Sequence, residues 1–470
     1  MSVLDRESTV APSGYNRWLI PPAALAVHLS IGEVYAFSVF KLPLTKILGV
    51  AKSGSGDWTQ PQIAWIFSLA IFCLGLAAAF LGTWVERSGP RKTMIAAALC
   101  FGGGFWVAAL GVQLHQLWLL YLGYGVLGGC GLGLGYIAPV STLVKWFPDR
   151  PGMATGLAIM GFGGGAFIGG NLSLALMDAF KSPSSTGVAP AFLIMGAIYA
   201  VAILFGAVIV RVPAADWKPE GYTPAAAARG MVTTANVAAA QAWLTPQFWM
   251  LWIVLCMNVT AGIGILEQAS PMIQEMFPKS HTYLGVTAAA ATAFVAFLSL
   301  FNMAGRFLWS SLSDFIGRKG VYVIYLLLGA ALYALIPHSV HLGGPAVFIG
   351  ICCVLISMYG GGFATAPAYL KDLFGTYQVG AIHGRLLTAW SVAGVLGPVL
   401  VNYIRQYLLA HGVHGVGLYA PTMYLMSGLL VIGLISNLLI RPVNEKYHFR
   451  GNQAPASGVR NQYAPEEAHH

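Results

Sequence analysis

Twelve separate stretches of this 470-residue chain are long and apolar enough to cross a bilayer, and no other feature of the sequence narrows its possible folds so far. They run roughly over 18–42, 60–84, 91–112, 117–145, 152–177 and 189–210, then over 246–270, 284–309, 320–337, 345–369, 382–408 and 419–440. A spanning helix needs about 20 predominantly apolar residues. The segment between the sixth and seventh runs carries Pro213, Asp216, Lys218, Pro219 and Glu220 and cannot span. The expected organisation is an N-terminal segment (1–17), a six-helix bundle (18–210), a central loop (211–245), a second six-helix bundle (246–440) and a polar tail (441–470). Backbone groups inside a bilayer find no water, and apolar runs of this length satisfy them as helices. The fold class is an all-α membrane protein.

Only 9% of the residues are charged, against roughly a quarter in a soluble domain, and no polar stretch is long enough for a separate soluble domain. A secreted or cytosolic enzyme is thereby excluded. The net charge of +9 does not mark a nucleic-acid partner, because the Lys and Arg punctuate the apolar runs instead of gathering on one soluble face. With both termini in the cytoplasm, 18 of the 25 cations fall in cytoplasmic segments, six fall outside and one, Arg306, falls within a span. That threefold bias is the positive-inside signal and predicts a multi-pass protein of the cell (inner) membrane. Cys73, Cys100, Cys130, Cys256, Cys352 and Cys353 all lie in apolar runs and read as small buried hydrophobes. The Gly-rich runs contain loose dinucleotide-like matches, but each lies in a span with no strand before it. No metal and no cofactor is expected. Residues Met1 to Tyr15 lack the apolar core of a signal peptide, so the first run is expected to remain in the mature protein.

The halves repeat. Glu86, Arg87, Ser88, Gly89, Pro90 and Arg91 follow the second run, and Asp314, Phe315, Ile316, Gly317, Arg318 and Lys319 follow the eighth. Glu86 and Asp314 lie 228 residues apart, as do Gly89 and Gly317, and Gly156 and Gly384. Duplication explains the constant offset. Two homologous six-helix halves are how many secondary transporters achieve alternating access, with the site at the repeat interface near the midplane.

Gly82, Glu86, Arg87, Gly89, Arg91 and Lys92 resemble the signature loop of the major facilitator superfamily, with Glu86 where that family more often has Asp. Asp314, Gly317, Arg318 and Lys319 form a second copy. The resemblance implies twelve helices in two pseudo-symmetric bundles. It also implies a cytoplasmic latch, so that Glu86, Arg87, Gly89, Arg91, Asp314, Gly317 and Arg318 gate; plain retention of positive charge would need neither the acid nor the glycine. More specific stretches narrow the family: Tyr35 to Ser38, Thr245 to Trp249, Asn302 with Gly305 and Arg306, Gly360 to Phe363, and Gly380 to Trp390. They are similar to the oxalate/formate antiporter family, which is close to the bacterial and animal monocarboxylate transporters.

Arg306 is the sharpest single signal. It stands eight residues before Asp314, about 12 Å into the membrane at 1.5 Å per residue, where a guanidinium costs at least roughly 2.5–3.5 kcal/mol. Two readings fit: an ion pair with Glu33 or Glu267, or a cation facing a wet cavity for an anion, since its planar fork suits a carboxylate. The resemblance implies the second, because the matching arginine of those families binds the substrate carboxylate. Asn302, one turn below Arg306, replaces an acid implicated in proton coupling in the animal carriers. Asn258 and Tyr136 match polar family positions, as substrate donors or as interhelical hydrogen bonds worth about 0.6 kcal/mol. Tyr35 belongs to the matching stretch of the first span and joins the expected substrate site.

Glu33, near the centre of the first span, is expensive when ionised there and usable as a proton carrier; the alternative is a structural partner for an arginine. The resemblance to the oxalate transporter type places a second cation, a lysine, at the position of Trp390. Its replacement leaves one buried cation for one carboxylate. That favours a monocarboxylate such as lactate, pyruvate or formate, coupled to protons, with Trp390, Tyr359 and Phe363 as apolar walls, ordinary packing being the alternative for Tyr359 and Phe363. Exchange of two carboxylates in the oxalate/formate manner is the alternative, with a counter-transported anion in place of the proton. A non-transporting nutrient sensor is a third reading. The expected partners are thus a small carboxylate, protons or a counter-anion, and the lipid bilayer.

Overall fold

The computed structural model describes residues 3–214, 217–222, 231–277 and 288–449. The first residues of the eighth expected run, Asp216 and most of the expected tail lie outside the described residues, as does the side chain of Glu267.

Among the described residues the chain forms twelve membrane-length helical segments. The first, α1 (Ile20–Ile31), passes into a 3-10 turn at Gly32–Ala36 and resumes over Ser38–Leu44. The expected first span (18–42) is therefore broken at its middle. Gly32 sits so close to the Phe162 backbone that any side chain would collide, and the turn carries Glu33 and Tyr35 on different sides. The helices α2 (60–88) and α3 (90–113) form one ribbon, Gln60–Gln113, bent only at Gly89, whose φ of 80° and ψ of 169° are open to glycine alone. Gly317 makes the equivalent turn between α8 (Ala288–Ile316) and α9 (Arg318–Leu335) with φ 82°. Between these lie α4 (Leu117–Trp146), α5 (Pro151–Ala179), α6 (Val188–Ile209) and α7 (Pro246–Met276). After α9 come α10 (Gly344–Phe374), α11 (Val379–Ala410) and α12 (Ala420–Leu439).

The two bundles meet along α5 against α8 and α2 against α11. Small residues make both approaches possible. A Cβ on Gly163 would stand 2.9 Å from Met303 N, and one on Gly82 would stand 2.9 Å from Ala381 Cα. The central segment is tied to the second bundle: Val237 N donates to Phe374 O at 2.9 Å, and Asn236 Oδ1 accepts from Thr376 N and Tyr377 N at 3.0 and 3.1 Å.

Inside the second bundle, Gly305 of α8 packs directly on the Ser357 backbone of α10, where Trp309 Nε1 donates to Ser357 Oγ at 3.1 Å. Overpacking of this kind costs about 1–3 kcal/mol. Gly305→Leu is expected to lower the melting temperature of the detergent-purified protein by several degrees. Gly350→Leu, on an exposed part of α10 with nothing within 4 Å, is expected to leave it unchanged.

Candidate functional site

A cavity of about 720 Å³ opens between the bundles on the face opposite the Glu86 and Asp314 loops. Its walls are the ends of α1, α2, α7, α8 and α11, with Lys41, Trp65, Ser270 and Tyr403 on them and Tyr35, Gly163 and Asn302 lower down. Arg306, one turn deeper than Asn302 along α8, is fully buried. Its Nε donates to Asn302 Oδ1 at 3.0 Å. Its Nη1 and Nη2 make no hydrogen bond among the described residues.

Aromatic rings from both bundles enclose this guanidinium. The charge lies 5.5 Å from the Phe162 ring centroid and 5.3 Å from that of Phe363, close enough for cation–π attraction. Trp390 packs on Phe363 at 4.4 Å, on Phe162 at 5.2 Å and on Tyr136 at 5.6 Å. Tyr35 and Tyr359 join hydroxyls at 2.7 Å. The Tyr136 hydroxyl and Trp390 Nε1 are buried without a hydrogen bond among the described residues, and Tyr136 faces Arg306. The chamber thus gathers donors in excess of acceptors, which is the chemistry of an anion site.

Among the described residues Arg306 makes no ion pair. Glu33 lies elsewhere, wholly buried in the first bundle, where its Oε2 accepts from Tyr124 OH at 3.0 Å. Gly169 of α5 presses on it so closely that an added Cβ would stand 2.8 Å from Glu33 Cγ, and Tyr199 closes the pocket. Of the sequence candidates, the structure gathers Arg306, Asn302, Tyr35, Tyr136, Tyr359, Phe363 and Trp390 in one chamber. Asn258 reaches the same α10 glycine run from α7, its Nδ2 against Gly362 while Gly360 backs on Arg306 and Asn302. Glu33 is set apart.

Phe162, absent from the expected set, is a full wall of the chamber. The repeat offset points to it, since Phe162 and Trp390 lie 228 residues apart. His383 and His28 flank Tyr136 at 5.7 and 5.3 Å between ring centroids, forming the base of the chamber toward the loop face.

That face is closed by a duplicated contact. Glu86 Oε2 accepts from Lys145 Nζ of its own bundle at 2.6 Å, while Oε1 accepts from Gly380 N at the start of α11 at 3.0 Å. Asp314 accepts from Arg318 Nη2 of its own bundle at 2.6 Å, and from Gly152 N and Met153 N at the start of α5 at 3.0 and 2.8 Å. Each acid meets free N–H groups and the positive end of a helix dipole in the opposite half. Arg318 also reaches Asp372 at 3.3 Å, and Lys371 Nζ crosses to Pro148 O at 3.3 Å. Arg91 behaves differently from its neighbours: it donates to Val3 O at 2.6 Å and holds the N-terminal segment within its own half. Arg87 is exposed.

The family described as Major Facilitator Superfamily matches residues 13–398. The uncharacterized MFS-type transporter YhjX of Escherichia coli is 27% identical over 392 residues, covering 82% of this chain and 88% of its own. The oxalate:formate antiporter of Oxalobacter formigenes is 26% identical over 384 residues, covering 81% and 83%. The apicoplast pyruvate carrier 1 of Toxoplasma gondii is 26% identical over 440 residues, covering 82% and 76%. Among solved structures, the E. coli fucose:proton symporter FucP superposes with a TM-score of 0.63 at 15% identity, over 89% of this chain and 98% of that one. This last likeness is one of fold.

The latch is open to direct test. Ser141 lies buried against Gly380 beside Glu86. With the six native cysteines replaced, a cysteine at Ser141 is expected to react about tenfold faster with a water-soluble maleimide in a Glu86→Ala background, since a charge-assisted contact contributes about 1.5–3 kcal/mol. Asp314→Ala is expected to act in the same direction through α5.

Proposed function

The chain belongs to the Major Facilitator Superfamily, and from that premise we propose that it carries small monocarboxylates across the membrane by alternating access, coupled to protons. The observation behind this reading is the Arg306 fork: two nitrogens without a well-formed hydrogen bond among the described residues, beside the Tyr35 and Tyr136 hydroxyls in an aromatic chamber. A carboxylate satisfies both nitrogens bidentately, and its negative charge offsets the cost of holding a guanidinium in the membrane. Trp390 fills the place where the oxalate transporter type has its lysine, so one cation meets one carboxylate. The kinship with a pyruvate carrier supports the same substrate class.

The Lys and Arg bias assigns the latch face to the cytoplasm, which makes the cavity an outer vestibule and this conformation outward-facing. Substrate entering from outside neutralises Arg306 and lets the bundles close over it. Release of the Glu86 and Asp314 contacts then opens the cytoplasmic side. Glu33 is the proposed proton carrier: it sits in the moving first bundle with one oxygen bonded to Tyr124 and the other unbonded among the described residues, an arrangement suited to a neutral acid. The alternative is carboxylate exchange, supported by the 26% identity to an oxalate:formate antiporter; it needs no proton site.

In proteoliposomes with an inward pH gradient, lactate, pyruvate or formate is expected to compete for uptake and oxalate is not; tight competition by oxalate overturns the single-carboxylate reading. Arg306→Gln is expected to lower uptake efficiency about 10- to 150-fold, corresponding to about 1.5–3 kcal/mol for hydrogen bonds to a charged group. Glu33→Gln is expected to abolish proton-driven accumulation while counterflow exchange continues. If accumulation survives that change, the proton travels elsewhere; if the wild-type protein itself shows counterflow but no accumulation under the gradient, exchange is the mode.

A further inference from the structure

The backbone amide that meets Glu86, Gly380 N, belongs to the second residue of α11. A helix start leaves its first N–H groups without intrahelical partners, and an N-cap side chain commonly satisfies one of them. Gln378 holds the N-cap position, but its side chain is turned to the central segment, where Oε1 accepts from Ala239 N at 2.8 Å. Gly380 N is thereby left to the opposite bundle. Where it points depends on how the turn between α10 and α11 is held.

Two chain segments outside the spans hold that turn. The central segment caps the end of α10: Thr233 N donates to Asp372 O at 2.8 Å, and Val237 N donates to Phe374 O. Asn236 Oδ1 accepts from Thr376 N and Tyr377 N. It also lies where a side chain on Gly375 would stand, and the φ of 77° at Gly375 turns the chain out of α10. The other segment follows α12. Lys319 Nζ of α9 donates to Leu438 O and Ile440 O, both at 2.8 Å, and Gln247 Nε2 of α7 donates to Pro442 O at 3.2 Å. Phe449 N then donates to Asn236 O at 2.7 Å, and the Phe449 ring stacks on Tyr377 with 4.9 Å between centroids and 25° between planes. One end of this path lies beside Arg318, which holds Asp314; the other lies at the turn that presents Gly380 to Glu86.

We propose that Asn236 and Phe449 are positioning residues of the cytoplasmic gate, and that the segment 438–449 is a strap. Together they fix the turn between α10 and α11 so that Gly380 N meets Glu86. Without them the start of α11 is released from Glu86, and the population shifts toward the conformation open to the cytoplasm. This inference rests on the latch and alternating-access reading and adds the strap to it. Neither residue touches the chamber around Arg306.

The test uses single cysteines, with the six native cysteines replaced, at Ser141 beside the latch and at Ser299 on the vestibule wall. Phe449→Ala and Asn236→Ala are each expected to raise maleimide reactivity at position 141 about two- to tenfold, the range for a contact of ordinary hydrogen-bond strength. Reactivity at position 299 is expected to stay level or fall, because opening one face closes the other. Asn236→Asp keeps the acceptor and Phe449→Tyr keeps the ring, so both are expected to react as the wild type does. A rise at both positions marks general loosening of the second bundle and overturns the positioning role. Unchanged reactivity at 141 in both alanine variants, with the Glu86→Ala effect intact, overturns the strap and leaves the latch standing. If Glu86→Ala itself leaves position 141 unreactive, the latch reading falls and the strap with it.

Discussion

A guanidinium deep in a bilayer is the constraint on which the rest of this structure turns. Arg306 is held by one hydrogen bond to Asn302 and by two aromatic faces. Neither Nη nitrogen is satisfied within the described residues. Burial of such a charge is tolerable only where something else supplies acceptors. The surrounding residues are built to receive rather than replace that supplier. Asn302 orients the fork by taking only Nε, and the rings exclude water without neutralising the charge. Glycines at 305 and 360 let α8 and α10 close around the arginine stem.

Symmetry is kept at the gate and broken at the centre. The gate acids, Glu86 and Asp314, lie 228 residues apart, and so do their backbone donors Gly380 and Gly152. Two of the chamber walls also descend from one position, Phe162 and Trp390. The position equivalent to Arg306, however, is Ala78, and that of Asn302 is Leu74. In the proposed cycle, duplicate halves need the same latch because each must release the other. That cycle needs only one anion site, because a second cation facing the first would raise the cost of the empty chamber and demand a second carboxylate. The tryptophan at 390 carries the same logic into the second half of the repeat.

Legibility in the sequence followed how unusual each residue is in its surroundings. Arg306 and Glu33 stand out because charged residues in apolar runs are rare, and the loop acids stand out because they repeat. The partners of those acids were silent: Gly380 N and Gly152 N are backbone groups whose role depends on where a helix starts. Phe162 was silent locally, since a phenylalanine in a glycine-rich apolar run looks the same facing lipid or facing a cation; only its 228-residue offset from Trp390 points to it. The break in α1 had no clear local signal either, because a single Gly32 and one acid within an otherwise apolar run do not by themselves mark where a helix tightens. That break decides a question the pattern left open. It turns Glu33 toward Tyr124 and Tyr35 toward the cavity, so that the acid and the arginine do not pair.

The separation of Glu33 from Arg306 means that coupling between the proposed proton site and the proposed anion site would have to run through shared packing rather than direct charge contact. One helix touches both. On α5, Gly169 packs on the Glu33 side chain, Gly163 packs on the backbone of Asn302 and Met303, and Gly156 packs on the backbone at Arg306 and Phe307. Below these, Gly152 N and Met153 N bind Asp314. Every one of these contacts is made by a residue without a side chain or by a backbone group. Such a surface carries few interlocking side chains to resist sliding. A change in volume or charge at Glu33 therefore has a mechanical path along α5 to the arginine helix and to the latch. Coupling through a shared two-position helix needs no hydrogen-bonded wire between the sites. It needs only that α5 sit differently against Glu33 when that acid is charged and when it is neutral.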